Sequence, residues 1–140
     1  IIPRSIIYPK LGRKIHLHDG GNAVRSYIHI RDVSRGELAI LERGRNGEVY
    51  HLSPEKGLSI RSVVQRVCEE TGVLFDEVTE ISPDRIGQDS VYTIDSSKVR
   101  KELGWSPQVK FQEGIKEVVN WIDKNWDHIR YLPLEYEHIS

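Results

Sequence analysis

No methionine occurs in the chain, and cysteine occurs once, at Cys68. A single cysteine rules out an intrachain disulfide and gives no sign of an oxidising compartment. Cys68 falls inside an apolar helical pattern, so a small buried hydrophobe is expected there, not a reactive thiol. Long apolar runs are lacking too. Nothing approaches the roughly 18–20 residues of a membrane-spanning helix, and no signal peptide is legible. An excess of one charge is also missing. Lys and Arg number 20 against 21 Asp and Glu, a formal net charge of −1. The chain therefore carries no electrostatic footprint for nucleic acid or a membrane surface. The expectation is a soluble cytoplasmic protein. The chain opens on Ile1-Ile2-Pro3 with no initiator methionine, so it is expected to be a piece of something longer.

Several chemistry-bearing patterns are absent as well. No glycine-rich turn links a strand to a helix, so there is no phosphate cradle of the dinucleotide type. No G-x-S-x-G elbow and no P-loop occurs. The six histidines are scattered: His16 and His18 stand as H-x-H without Cys or carboxylate partners at ligand spacing, which favours a structural or ligand-facing role over metal binding.

What is present is one domain's worth of chain, 140 residues, with 38% hydrophobic and 29% charged residues. That composition is too apolar for disorder. Apolar spacing predicts a short helix over 3–11, stopped at Gly12. A weakly alternating strand over 14–18 then meets the turn Asp19-Gly20-Gly21. A β-rich run at 27–30 precedes a helix from Asp32, an N-cap type, to Gly44. Arg45-Asn46-Gly47 reads as a turn and 49–52 as a strand. The clearest amphipathic helix starts at Ser59, places Ile60, Val63, Val64, Val67 and Cys68 on one face, and closes at Gly72. Residues 80–89 hold a short strand and a polar loop, and 91–94 a brief β run. Asp95 or Ser96 can cap a helix that stops at Gly104. Phe111, Ile115, Val118, Val119 and Ile122 form the stripe of a final long helix. Beyond Trp126 no period is legible. The string is a mixed α/β lobe of about five helices and three or four short strands, by the same pattern reading.

Two arginines stand in loops beside glycines and next to β-rich runs: Arg25 after Asp19-Gly20-Gly21, and Arg85 within Asp84-Arg85-Ile86-Gly87-Gln88-Asp89. Guanidinium forks at strand rims, with small residues that let a ligand approach, suit phosphate recognition. Each alone reads as a solvated surface arginine; together they point weakly to a polyanion site.

The order of motifs adds a resemblance. Residues 12–33 follow the pattern G-x-x-[I/L]-x-[L/P]-x-x-G-G-x-x-V-R-x-[Y/W]-[I/L]-x-[I/V]-x-D-V, similar to the C-terminal half of the extended short-chain dehydrogenase/reductase family. Gly47-Glu48-Val49-Tyr50-His51-Leu52 resembles the family's G-E-x-Y-N-[I/L], and residues 84–89 resemble D-R-P-G-H-D. Tyr92-Thr93-Ile94-Asp95 with Lys98, followed by Glu102-Leu103-Gly104-Trp105, resembles Y-x-I-D-x-x-K and E-L-G-W-x-P. The D-R-x-G-x-D loop and the Y-x-I-D-x-x-K pattern favour the dTDP-glucose 4,6-dehydratase branch, and the match runs to about Trp126.

The resemblance implies a small mixed α/β C-terminal substrate-binding lobe over residues 1–126, without its Rossmann sheet, and an irregular tail over 127–140. It implies a nucleoside diphosphate sugar as partner, with Arg25 and Arg85 on the pyrophosphate and His16, Leu17 and His18 along base and ribose. Asp84, Gly87 and Gln88 would shape the same loop. His51 stands where the dehydratases place asparagine, Ile86 where they have proline and Gln88 where they have histidine, which weakens any assignment of thymidine. The implied cycle passes hydride from sugar C4 to NAD(P) and back, and needs a Tyr-x-x-x-Lys pair and a dinucleotide site. This chain has neither, so NAD is expected on an N-terminal Rossmann domain of the parent protein and not here. The parent is expected to be a homodimer. Epimerase and decarboxylase chemistry of the same family, or a stand-alone non-catalytic nucleotide-sugar-binding module, are the alternatives.

Overall fold

The computed structural model describes residues 1–83, 87 and 89–134. Seven helices run through the described residues: α1 (Ile2–Lys10), α2 (Ile30–Arg43), α3 (Ile60–Thr71), α4 (Phe75–Val78), α5 (Ser97–Leu103), α6 (Phe111–Lys124) and α7 (Trp126–Ile129). Two small sheets accompany them. β1 (Ile15–His18) pairs in parallel with β4 (Thr79–Ser82). β2 (Val24–Arg25) lies between β3 (Leu58–Ser59), antiparallel to it, and β5 (Val91–Tyr92), parallel to it. The mixed α/β class expected from the sequence is the one observed. Among the described residues no helix is long and apolar enough to cross a membrane.

α3 organises the core because it is apolar on two flanks. The Ser59 hydroxyl caps it by accepting from the Ser62 N–H at 3.1 Å, and Gly72 closes it at φ +73°. Val67 faces a cluster with Ile6 and Ile7 of α1, Ile115, Val119 and Ile122 of α6, and Ile129 of α7. Val64 and Cys68 face Ile15 and Leu17 of β1. Each such side chain, taken fully out of water, contributes roughly 1.5–3 kcal/mol before conformational entropy is charged against it. Ile129 extends the cluster into a segment expected to be irregular: α7 occupies its start, and the described tail packs Leu134 on the same core.

Three expectations fail for tertiary reasons. Asp32 is not the N-cap of α2. The helix begins at Ile30, and the His29 ring nitrogen Nδ1 accepts from the Arg31 N–H at 3.1 Å. Asp32 is instead wholly buried. Its carboxylate accepts from the main-chain N–H of Gln108 and of Val109, both at 3.0 Å, and from the Arg35 guanidinium, while its carbonyl accepts from the Trp105 indole N–H at 2.9 Å.

The run at 27–30 forms no strand, because pairing is confined to Val24 and Arg25 and the chain then turns into α2. Residues 49–52 also form none. Extended chain becomes a strand only beside a partner that completes its ladder, and no such partner lies beside this run among the described residues. Leu52 instead packs against Gly36, where an added Cβ would come within 2.5 Å of it.

The Asp95 carboxylate does act at the start of α5, accepting from the Ser97 N–H at 2.8 Å and its hydroxyl at 2.9 Å. Those bonds hold its carboxyl below the ordinary value, the backbone N–H being the larger cause.

Replacing Asp32 by Ala leaves two part-buried N–H groups without their acceptor and a void in place of a buried side chain, so Asp32→Ala is expected to cost about 3 kcal/mol. Urea denaturation of the variant should show a lower midpoint at an unchanged slope. Asp32→Asn, which keeps one acceptor oxygen, should lose less.

Candidate functional site

β1 alternates, and that alternation sorts its side chains. Ile15 and Leu17 point into the core, each 1% exposed, while His16 and His18 point outward. The outward pair forms part of the wall of a half-open cavity of about 770 Å³. α1 contributes Pro3, Arg4 and Tyr8, and Ile1, Ile15, Ala23, Ile60 and Ser82 complete the lining. No carboxylate lines it among the described residues, and its ionisable side chains other than Tyr8 are Arg4, His16 and His18. Such a wall favours an anion.

His18 is fixed at the far end of the cavity. Its Nδ1 lies 2.9 Å from the Pro83 carbonyl and 3.0 Å from the Ser82 hydroxyl. A carbonyl can only accept, so Nδ1 carries the proton and Nε2 is left as the acceptor of the neutral ring.

Arg25, on β2, donates from Nη1 to the Val24 carbonyl at 2.7 Å and from Nη2 to the Asp89 carbonyl at 2.8 Å. Two of its five donors are thereby engaged, and the fork is held in place. Arg25 does not itself line the cavity; Ala23, two residues earlier, does. The structure thus ties Pro83 to His18 and Asp89 to Arg25, and the segment between them carries four of the sequence candidates. Asp84, Arg85 and Gln88 lie outside the described residues. Gly87 is described, at φ +82° with nothing within 4 Å of where a Cβ would stand, a conformation that favours glycine.

Two sequence candidates are placed elsewhere. Leu17 is a core residue on the inner face of β1 and offers no side chain to the cavity, for the simple reason of strand parity. His51 is exposed beyond Tyr50 and close enough to Asp95 to act on its charge; it is not part of the cavity wall.

Sequence reasoning missed Arg4 and Tyr8. The available signal was their i, i+4 spacing on the α1 face away from Ile6 and Ile7. Tyr27 contributes its ring, edge-on to Phe111 with centroids 5.8 Å apart. Burial pushes its phenol above the ordinary value, with the nearby Arg25 charge opposing that shift, so it is no ready base.

Comparison with known proteins places this geometry. A family model described as GDP-mannose 4,6 dehydratase matches residues 1–118. A dTDP-glucose 4,6-dehydratase of Mycobacterium tuberculosis is 35% identical over 128 residues, covering 89% of this chain and 38% of the relative. One from Streptomyces niveus is 33% identical and covers 85% and 36%. Among solved structures, DesIV, a dTDP-glucose 4,6-dehydratase of Streptomyces venezuelae with NAD bound, superposes at a TM-score of 0.82 with 30% identity, covering 89% of this chain and 38% of that one. A UDP-glucose 4-epimerase of Thermotoga maritima with UDP-glucose gives 0.77 with 29% identity and covers 89% and 38%. The chain therefore spans rather more than a third of the length of the curated relatives it matches.

Cys68 takes no part in the cavity. It is 2% exposed, and burial, with Glu69 as the lesser cause, pushes its thiol above the ordinary value. Labelling with an aromatic disulfide reagent at mild alkaline pH should be slow in the folded chain and should reach one thiol per chain only after denaturation. Rapid labelling of the native chain would contradict this burial.

Proposed function

The chain belongs to the GDP-mannose 4,6 dehydratase family, among the extended short-chain dehydrogenase/reductases, and from that premise we propose that its cavity holds the nucleoside diphosphate part of a nucleotide sugar, as the substrate-binding portion of a 4,6-dehydratase resembling those that act on dTDP-glucose. The observation that carries this reading is the tethering of the 84–88 segment at both ends, to His18 on one side and to Arg25 on the other. Residues of β1 and β4, with Ala23 just before β2 and Ile60 just after β3, line a space free of carboxylates among its described walls.

In this reading His16 and His18 run along the nucleoside, His18 accepting through Nε2. Arg25 and Arg85 take the phosphates with forks whose geometry matches paired oxygens. Gly87 lets main chain approach the ligand, while Asp84 and Gln88 shape the loop. Leu17 supports β1 from behind, and His51 takes no part. Solved relatives include both dehydratases and epimerases. The D-R-x-G-x-D loop and the Y-x-I-D-x-x-K pattern favour the former.

NAD supplies the hydride chemistry of such enzymes when bound. This chain's own residues do not fit it: no glycine-rich turn joins a strand to a helix, and the described sheets have two and three strands. That work is assigned to a dinucleotide-binding part of the parent polypeptide, working in a cytoplasmic homodimer. The same part offers cover for α2. This helix is buried on one face through Asp32, Gly36 and Ala39, and exposes Ile30, Leu38 and Leu41 on the other. Alone, the chain binds and does not turn over, as a non-catalytic module would.

Calorimetric titration of the chain with dTDP, UDP and GDP tests the reading. At least one should bind, and Arg25→Ala should weaken it by about ten- to a hundredfold, the loss expected for hydrogen bonds to a charged group. Incubation with NAD and dTDP-glucose should yield no product. Binding by none of the three, or an unchanged affinity in Arg25→Ala, would overturn the reading.

A further inference from the structure

Among the described residues Arg4 is the one arginine or lysine that lines the cavity. Its guanidinium carbon lies 5.3 Å from the centre of the Tyr8 ring, and that of Arg13 lies 5.9 Å from the same centre. A guanidinium held against an aromatic face keeps its charge and its edge donors while losing much of its freedom. Both Arg4 and Tyr8 line the cavity. Among the described residues no carboxylate or carbonyl is paired with Arg4. The side chain is exposed, so it is not held there by the needs of the core.

Its position divides the labour of the site. Arg25 belongs to the three-stranded sheet, and its fork is already fixed beside Asp89. Arg4 comes from α1, which packs on α3 and α6 and lines the cavity directly. A cavity of about 770 Å³ is larger than a diphosphate needs and leaves room for a nucleoside against that helix.

We infer that Arg4, steadied by Tyr8, reads the nucleobase and selects bases that present a carbonyl at the O6 or O4 position over bases that present an amino group there. The inference rests on the nucleoside diphosphate reading given above. The chemistry is that of edge recognition. An arginine fork has donors only, so it satisfies the O6 and N7 of guanine or the O4 of uracil and thymine. It meets a repelling donor at the N6 amino group of adenine and the N4 amino group of cytosine. Tyr8 supplies the stacking surface that keeps the fork in the plane of its target.

UDP and CDP differ at this edge by one carbonyl and one amino group, and therefore make the test. Titration of the full chain should show UDP bound about tenfold tighter than CDP, and GDP tighter than ADP. In Arg4→Leu, which removes the donors and keeps an apolar stem, UDP and GDP should each lose about tenfold. CDP, ADP and inorganic pyrophosphate should stay within about twofold, so that the base preference collapses. Arg4→Lys, charged but without a fork, should likewise leave pyrophosphate affinity within about twofold and not restore the preference. A UDP-to-CDP ratio equal in the parent chain and in Arg4→Leu overturns the inference while leaving the nucleotide reading intact. Equal weakening of pyrophosphate and UDP makes Arg4 a phosphate ligand and overturns it too. If the parent chain binds no nucleoside diphosphate at all, the nucleotide reading fails, and this inference with it.

Discussion

A single buried carboxylate decides how the two halves of this lobe meet. Asp32 has no access to water, and its contacts join two stretches of chain: the indole of Trp105 and the main chain of Gln108 and Val109 on one, and the guanidinium of Arg35 one turn along its own helix on the other. A buried charge is tolerated only where its lone pairs are filled. The turn at 105–109 must therefore come to Asp32, and with it the start of α6. Phe111, the first residue of α6, then reaches Tyr27 edge-on. The strand that carries Arg25 is thereby fixed against the helix layer from one side, as its ladder with β3 and β5 fixes it from the other.

That dependence explains which parts were legible in the residues and which were not. α3 and α6 carry their own evidence, a stripe of Val and Ile at helical spacing with a serine or glycine at the right end. Residues 27–30 and 49–52 are just as rich in β-formers, yet neither is a strand. A strand is a relation between two segments, and its composition records only half of that relation. Asp32 failed as a cap for the same reason. An Asp before an apolar period satisfies the local rule, and nothing local announces that a turn more than seventy residues away will claim its oxygens.

The cavity shows the same division. The family resemblance drew in His16, Leu17 and His18 together, and strand parity turns the side chains of the two histidines outward and that of Leu17 into the core. Arg25 was found through its glycines. Arg4 and Tyr8 could not be distinguished from an ordinary solvated helix face, since what marks them is the cavity they line together with β1 and Ser82. Family membership came through as an order of short motifs, which survives substitution better than any one side chain does.

α2 carries a consequence of its own. Its outward face presents Leu41 at 84% exposure and Ile30 at 69%, and Val49 at 68% follows on a stretch of backbone whose hydrogen-bonding groups find no ladder among the described residues. Greasy side chains next to open amide edges form an adhesive combination. Made alone at high concentration, this polypeptide would be troubled less by melting than by self-association. A soluble preparation depends on dilution or on another protein layer that shields that side.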